Sequence, residues 1–136
     1  MRHLVALDGW EASRRALAFA IERAALENAA VDVAYVVGED GGDPDSVDQI
    51  HDTVDEVVAE VDPDGEVPVE VIVLEVDKRH KPATRVGVRL VEFVEEHGHD
   101  AVYLGNERTG TAERMIVGSV STTLIEDRSV PVVLVP

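Results

Sequence analysis

Apolar positions along this chain follow two alternating rhythms. Some runs are short and almost wholly apolar, and the segments between them return an apolar residue every three or four positions. "HLVAL" (His3–Leu7) is a run of the first kind and is closed by Asp8-Gly9. Leu17, Ala20, Ile21 and Ala24 then recur at helical spacing, predicting a helix over Glu11–Glu27. "VDVAYVV" (Val31–Val37) reads as a second strand and "GEDGGDPDS" as an acidic, turn-rich loop. Val47, Ile50, Val54, Val57, Val58 and Val61 line one face of a second helix over Ser46–Val61. "VPVEVIVLE" (Val67–Glu75) is a third strand. Val86, Leu90, Phe93 and Val94 mark a third helix, which ends near His97 with Gly98 as its cap. "DAVYLG" (Asp100–Gly105) is a fourth strand, a fourth helix runs from Gly118-Ser119 to about Asp127, and "VPVVLV" (Val130–Val135) is a fifth strand.

Strand and helix alternating at this spacing imply βαβ units, hence a parallel sheet with right-handed crossovers and helices on both faces. Such sheets take ligands beyond the carboxyl ends of their strands, where the strand order reverses. Asp8-Gly9, the loop after strand 3 and the segment after Gly105 all arrive at that edge.

Composition narrows the function. The 136 residues suit one domain spanning 1–136 and can bury a core of Val, Leu, Ile and Ala, since aromatics are only 4%. Cysteine is absent, which excludes disulfides and thiolate metal sites. No apolar run approaches the roughly 20 residues of a membrane span. A strand-like run beginning at His3 leaves no room for a signal peptide, so a soluble, cytoplasmic protein is expected. The formal net charge is −16, from 28 acids against 12 lysines and arginines. The acids are spread along the chain, and ten of the twelve cations are arginine, the pattern of a halophilic protein. Molar salt shortens the Debye length to about 3 Å and mutes such self-repulsion. A nucleic-acid partner is disfavoured, because that surface would be basic.

Against this background "GNERTGTAERMIVGSVST", starting at Gly105, stands out. Glycines next to a helix start suit anions: they admit close backbone approach, amide N–H groups point outward, and the helix dipole favours negative charge. The segment is neither G-x-x-x-x-G-K-[ST] nor G-x-G-x-x-G. By itself Gly105 serves equally to end a strand, and Gly118-Ser119 to start a helix.

The whole chain resembles the universal stress protein family. The nucleotide-binding branch of that family carries G-x-x-G, nine residues, then G-[ST]. Here Gly105-Asn106-Glu107-Arg108 is followed by nine residues, Thr109 to Val117, and then Gly118-Ser119. "VALDGWEASRRAL" matches the family's opening through Asp8, Gly9, Ser13, Ala16 and Leu17, and "GSVS" with the later "VPVVLV" matches its ending. The resemblance implies an α/β fold of the Rossmann-like, adenine nucleotide alpha hydrolase-like kind, a five-stranded parallel sheet ordered 3-2-1-4-5. It implies that Ala6 and Asp8 lie near adenine and ribose, that Val36 meets adenine through its backbone, and that Gly105 borders the ribose. It implies that Gly118, Ser119 and Val120 hold phosphates. Asp8 serves equally as a helix cap.

Two positions depart from the pattern. Arg108 replaces the second glycine, so a side chain occupies the phosphate approach, yet a guanidinium also pairs well with phosphate oxygens. Trp10 stands where a serine follows Asp-Gly; it suits packing over a ligand or on the core, and the core is its expected place. A second cluster, "KRHKPATRVGVR", holds Lys78, Arg79, Lys81, Arg85 and Arg89 with no acid between them. The loop cations suit an anionic ligand; Arg85 and Arg89 equally suit pairing with Glu92 or Glu96. His97 and His99 flank Gly98; a cationic histidine in the last helical turn is expected rather than a metal pair.

The resemblance implies an ATP- or other adenine-nucleotide-binding sensor or regulator, a homodimer through Val130–Val135. Mg2+ or Mn2+ would arrive with the phosphates, and hydrolysis would be slow because no water-activating base stands out. One alternative is a dimerising module of the same family without nucleotide binding. Another is an enzyme or electron-transfer relative on a similar adenine-binding scaffold, disfavoured by the short chain.

Overall fold

The computed structural model describes residues 1–9, 11–106 and 119–136. Five strands form one parallel sheet: β1 (Arg2–Ala6), β2 (Ala30–Val37), β3 (Val69–Glu75), β4 (Ala101–Gly105) and β5 (Val132–Val135), in the order β3-β2-β1-β4-β5. Four α-helices alternate with them: α1 (Glu11–Glu27), α2 (Val47–Val61), α3 (Arg85–His97) and α4 (Ser119–Asp127). Short 3-10 turns, Pro44–Ser46 and Pro82–Thr84, lead into α2 and α3.

Period-two alternation sorts the strands into two cores. Val5, Val31, Val33, Tyr35, Ala101 and Tyr103 face α1 and α2. Leu4, Ala34, Val36, Leu74, Val102 and Leu104 face α3 and α4. The expected stripe of α1, Leu17, Ala20, Ile21 and Ala24, is wholly buried. Its small residues let the helix lie close on the sheet. The α2 stripe is also as expected, with Ile50, Val54 and Val57 buried and Val47, Val58 and Val61 packed beside them. Gly98 ends α3 in the left-handed conformation (φ 69°), and its N–H reaches the Val94 carbonyl at 2.7 Å.

Two strands begin later than their apolar runs. Val67 is held by a cap instead: the Asp62 carboxylate accepts the Glu66 and Val67 N–H groups, both at 3.0 Å. Pro131 has no N–H to give a ladder, although its carbonyl accepts the Val102 N–H at 2.9 Å. β3 and β5 are the sheet edges.

The amino end of the sheet is polar. Asp32, on the α3 side of β2, accepts from His99 at 2.8 Å and from Arg2, and both the Asp32 and His99 side chains are buried. On the other side His3 meets Glu27 of α1 at 2.9 Å and packs edge-on to Tyr103. His97 bonds the Phe93 carbonyl through Nδ1 at 3.0 Å and tilts against the Phe93 ring. His97 and His99 thus have separate partners, and the described residues hold no group of three or more metal-ligating side chains. No described helix is long and apolar enough to cross a membrane.

Candidate functional site

The strand order reverses between β1 and β4, and there the sheet opens at its carboxyl edge into a cleft of about 700 Å3. Its floor is Ala6, Leu7 and Asp8 from the end of β1, Ala34 to Val36 from β2, and Leu104, Gly105 and Asn106 from β4. Ser119, Val120 and Ser121 of the first turn of α4 close one side, and Val86 and Leu90 of α3 another. The loop after β2 supplies Asp40 to Asp43.

The chain reaches this edge by specific bonds. The Leu7 N–H extends the β1–β2 ladder to the Ala34 carbonyl at 3.0 Å, and the Asn106 N–H bonds the Val135 carbonyl at 2.8 Å. Asp8 gives its N–H to Ser13 Oγ at 3.3 Å, which ties the cleft floor to the first turn of α1. Gly105 meets that same turn. A Cβ there would stand 2.3 Å from the Ala12 carbonyl carbon and the Ser13 nitrogen. Glycine at this position is therefore required by the packing of α1 on β4.

Of the residues expected at a ligand, Ala6, Asp8, Val36, Gly105, Ser119 and Val120 line this one cleft. The Val36 carbonyl already accepts the Gly42 N–H at 2.8 Å, so a ligand would use its second lone pair. Arg108, Gly118 and Trp10 lie outside the described residues. Two arginines of the cation cluster, Arg79 and Arg85, are held by acids. Arg79 pairs with Asp77 at 2.6 Å, and their hydrogen bonds hold the Asp77 carboxyl well below its ordinary range. Arg85 pairs with Asp40 at 2.8 Å, not with Glu92 or Glu96; the partner comes from the loop after β2, which no helical spacing reveals. Glu92 instead meets His80 at 3.3 Å. The charged residues lining the cleft, among those described, are Asp8, Asp40 and Asp43.

Tyr35, Asp40, Asp43 and Asn106 were not singled out by sequence. Tyr35 gives its hydroxyl to the Asp43 carbonyl at 3.0 Å, and its ring lies where a Cβ on Gly42 would be, 2.6 Å away. The glycines of "GEDGGDPDS" were the available signal: they let this loop fold down over the β2 end as a cleft wall.

The universal stress protein family model matches residues 1–136. The chain belongs to the universal stress protein family. Its fold matches that of a universal stress protein from Burkholderia pseudomallei at 26% identity and TM-score 0.65, covering 99% of this chain and 95% of that one. It matches a universal stress protein from Archaeoglobus fulgidus in complex with dAMP at 22% identity and TM-score 0.70, covering 100% and 98%. It matches a universal stress protein in complex with cAMP at 22% identity and TM-score 0.68, covering 100% and 97%. No curated protein matches the chain. For this universal stress protein the family gives the fold its known setting, and the cleft lies where its sheet reverses.

Proposed function

We propose that this protein binds an adenine nucleotide, ATP foremost, in the cleft between β1 and β4 and acts as a cytoplasmic sensor or regulator. One observation carries the reading: Ala6, Asp8, Val36, Gly105, Ser119 and Val120, drawn from four separate elements, share a single cleft. Family relatives in complex with dAMP and cAMP support the adenine ligand class. Ser119 and Val120 start α4, where N–H groups lack helical partners and suit phosphate. Mg2+ or Mn2+ would travel with the phosphates to offset the carboxylates of the cleft. The regulator is a homodimer through Val130–Val135; β5 is an edge strand of half-buried valines and leucine, a surface that invites pairing.

Denaturing the purified protein and chromatographing the released small molecules tests the ligand directly. Calorimetry with ATP and adenosine at fixed high salt then tests the phosphate cradle. Gly118→Val should abolish ATP binding by blocking backbone approach. Arg108→Ala should weaken ATP more than adenosine, by about 1–3 kcal/mol, as for a charged hydrogen bond. No heat in the wild type, with clear binding by Arg108→Gly, would replace this reading with the nucleotide-free dimerising module.

A further inference from the structure

Arg85 opens α3, yet its side chain is only 10% exposed. All three of its guanidinium nitrogens donate to two loops. Nε donates to the His80 carbonyl and Nη2 to the Lys78 carbonyl, each at 3.0 Å, while Nη1 donates to Asp40 at 2.8 Å. Glu39 stands farther off, at 4.0 Å. Asp40 sits in the left-handed region at φ 66°, a conformation that a non-glycine residue adopts at some cost. Held this way, Asp40 lines the main cleft and also a smaller adjoining hollow that it shares with Ser119 and Val120. Asp40 therefore borders the same space as the first turn of α4, with its carboxylate turned to Arg85.

We propose that Arg85 is a positioning residue that sets the ligand selectivity of this cleft: by pairing with Asp40 it cancels a negative charge that would otherwise repel a phosphorylated ligand. The inference rests on the adenine-nucleotide reading above. It assigns Arg85 an electrostatic duty toward anionic ligands, transmitted through Asp40, without contact between Arg85 and the ligand. Removing the guanidinium leaves Asp40 uncompensated beside the phosphates. Removing the carboxylate leaves the guanidinium with only the more distant Glu39 to offset it, and its field then favours phosphate.

The test is a double-mutant cycle read by calorimetry with ATP and adenosine at the lowest KCl concentration at which circular dichroism shows the wild type folded, so that screening does not erase the charge effect. Arg85→Gln should weaken ATP about fivefold and leave adenosine unchanged, the effect of one like charge across a wet gap of several ångströms. Asp40→Asn should strengthen ATP by about the same factor. The Arg85→Gln, Asp40→Asn double variant should return the ATP-to-adenosine ratio to that of the wild type. ATP and adenosine falling together in Arg85→Gln, without rescue in the double variant, would reduce Arg85 to a loop staple and overturn the proposal. If Arg85→Gln does not fold, Asp40→Asn alone decides, and an unchanged ratio overturns it. A wild type that binds neither ligand rejects the nucleotide reading and this inference with it; binding with unchanged ratios rejects this inference alone.

Discussion

Gly105→Ala adds one methyl group at the junction of the cleft and the fold. The new Cβ would lie 2.3 Å from the Ala12 carbonyl carbon, 2.3 Å from the Ser13 nitrogen and 2.6 Å from the Ala12 oxygen. Non-bonded carbon atoms settle at about 3.5–4.0 Å, so the methyl arrives about 1.2 Å too close. All three obstacles are backbone, so no rotamer change relieves them; the first turn of α1 or the end of β4 must move. Overpacking of this kind costs about 1–3 kcal/mol. At about 2.1 cal/mol/K of unfolding entropy per residue, a chain this long loses roughly 4–10 °C of Tm. Thermal unfolding followed by circular dichroism, at constant molar KCl, measures it. Gly98→Ala is the comparison: its φ of 69° is strained for alanine, but its Cβ would meet nothing within 4 Å. That variant should lose only about 1 kcal/mol and keep its ligand affinity. Gly105→Ala should also weaken adenosine, because Asp8 is tied to Ser13 and moves with α1. A Gly105→Ala protein that melts within a degree of the wild type would refute the close-approach argument.

Three other outcomes are expected. Tm should rise from low to molar KCl, because 28 acids repel one another least when screened, and a flat or falling Tm would remove the halophilic reading. Val133→Lys should give a folded monomer in light scattering, and a persistent dimer would move the interface off β5. Burial, with Glu27 adding to it, pushes the Tyr103 phenol above its ordinary 10.0. The folded state then holds that proton more tightly than the unfolded chain. Stability from this source is complete below about pH 10 and falls as pH climbs through the folded value. Tyr103→Phe should therefore flatten the alkaline limb of Tm against pH, and equal loss in both proteins would exclude Tyr103 as its source.

Periodicity carried most of the fold because the two cores are nearly all aliphatic and each helix shows a single apolar face. The α1 boundaries, Glu11 and Glu27, and the Gly98 cap follow from residues within one or two turns. The strand starts were less legible: Val67 and Val130 are as buried as strand residues, but Asp62 caps one and Pro131 interrupts the other. The cleft was legible where sequence spacing and chain order agree, at Asp8, Gly105 and Ser119. It was opaque where charge pairing acts over distance. The partner of Arg85 is 45 residues away, and nothing local distinguishes Asp40 from the acids around it. Gly105 was noticed as a ligand-side glycine, whereas its contact with the backbone of α1 appears only once the helix is laid against the sheet.

The buried Asp32–His99 contact bears on how the sheet chooses its alignment. Asp32 lies between Val31 and Val33, whose side chains point into the opposite core among α1 and α2. A slip of β2 by one residue would turn every side chain to the other face. Asp32 would then leave His99 and Arg2 for the face on which His3 is already held by Glu27, while Val31 and Val33 would turn to the side of His99. Valine-rich strands such as β2 and β5 offer little by shape alone to tell one alignment from the next. A single acid with two waiting partners, His99 and Arg2, supplies the discrimination, acting as a pin in a sheet whose other positions are close to interchangeable.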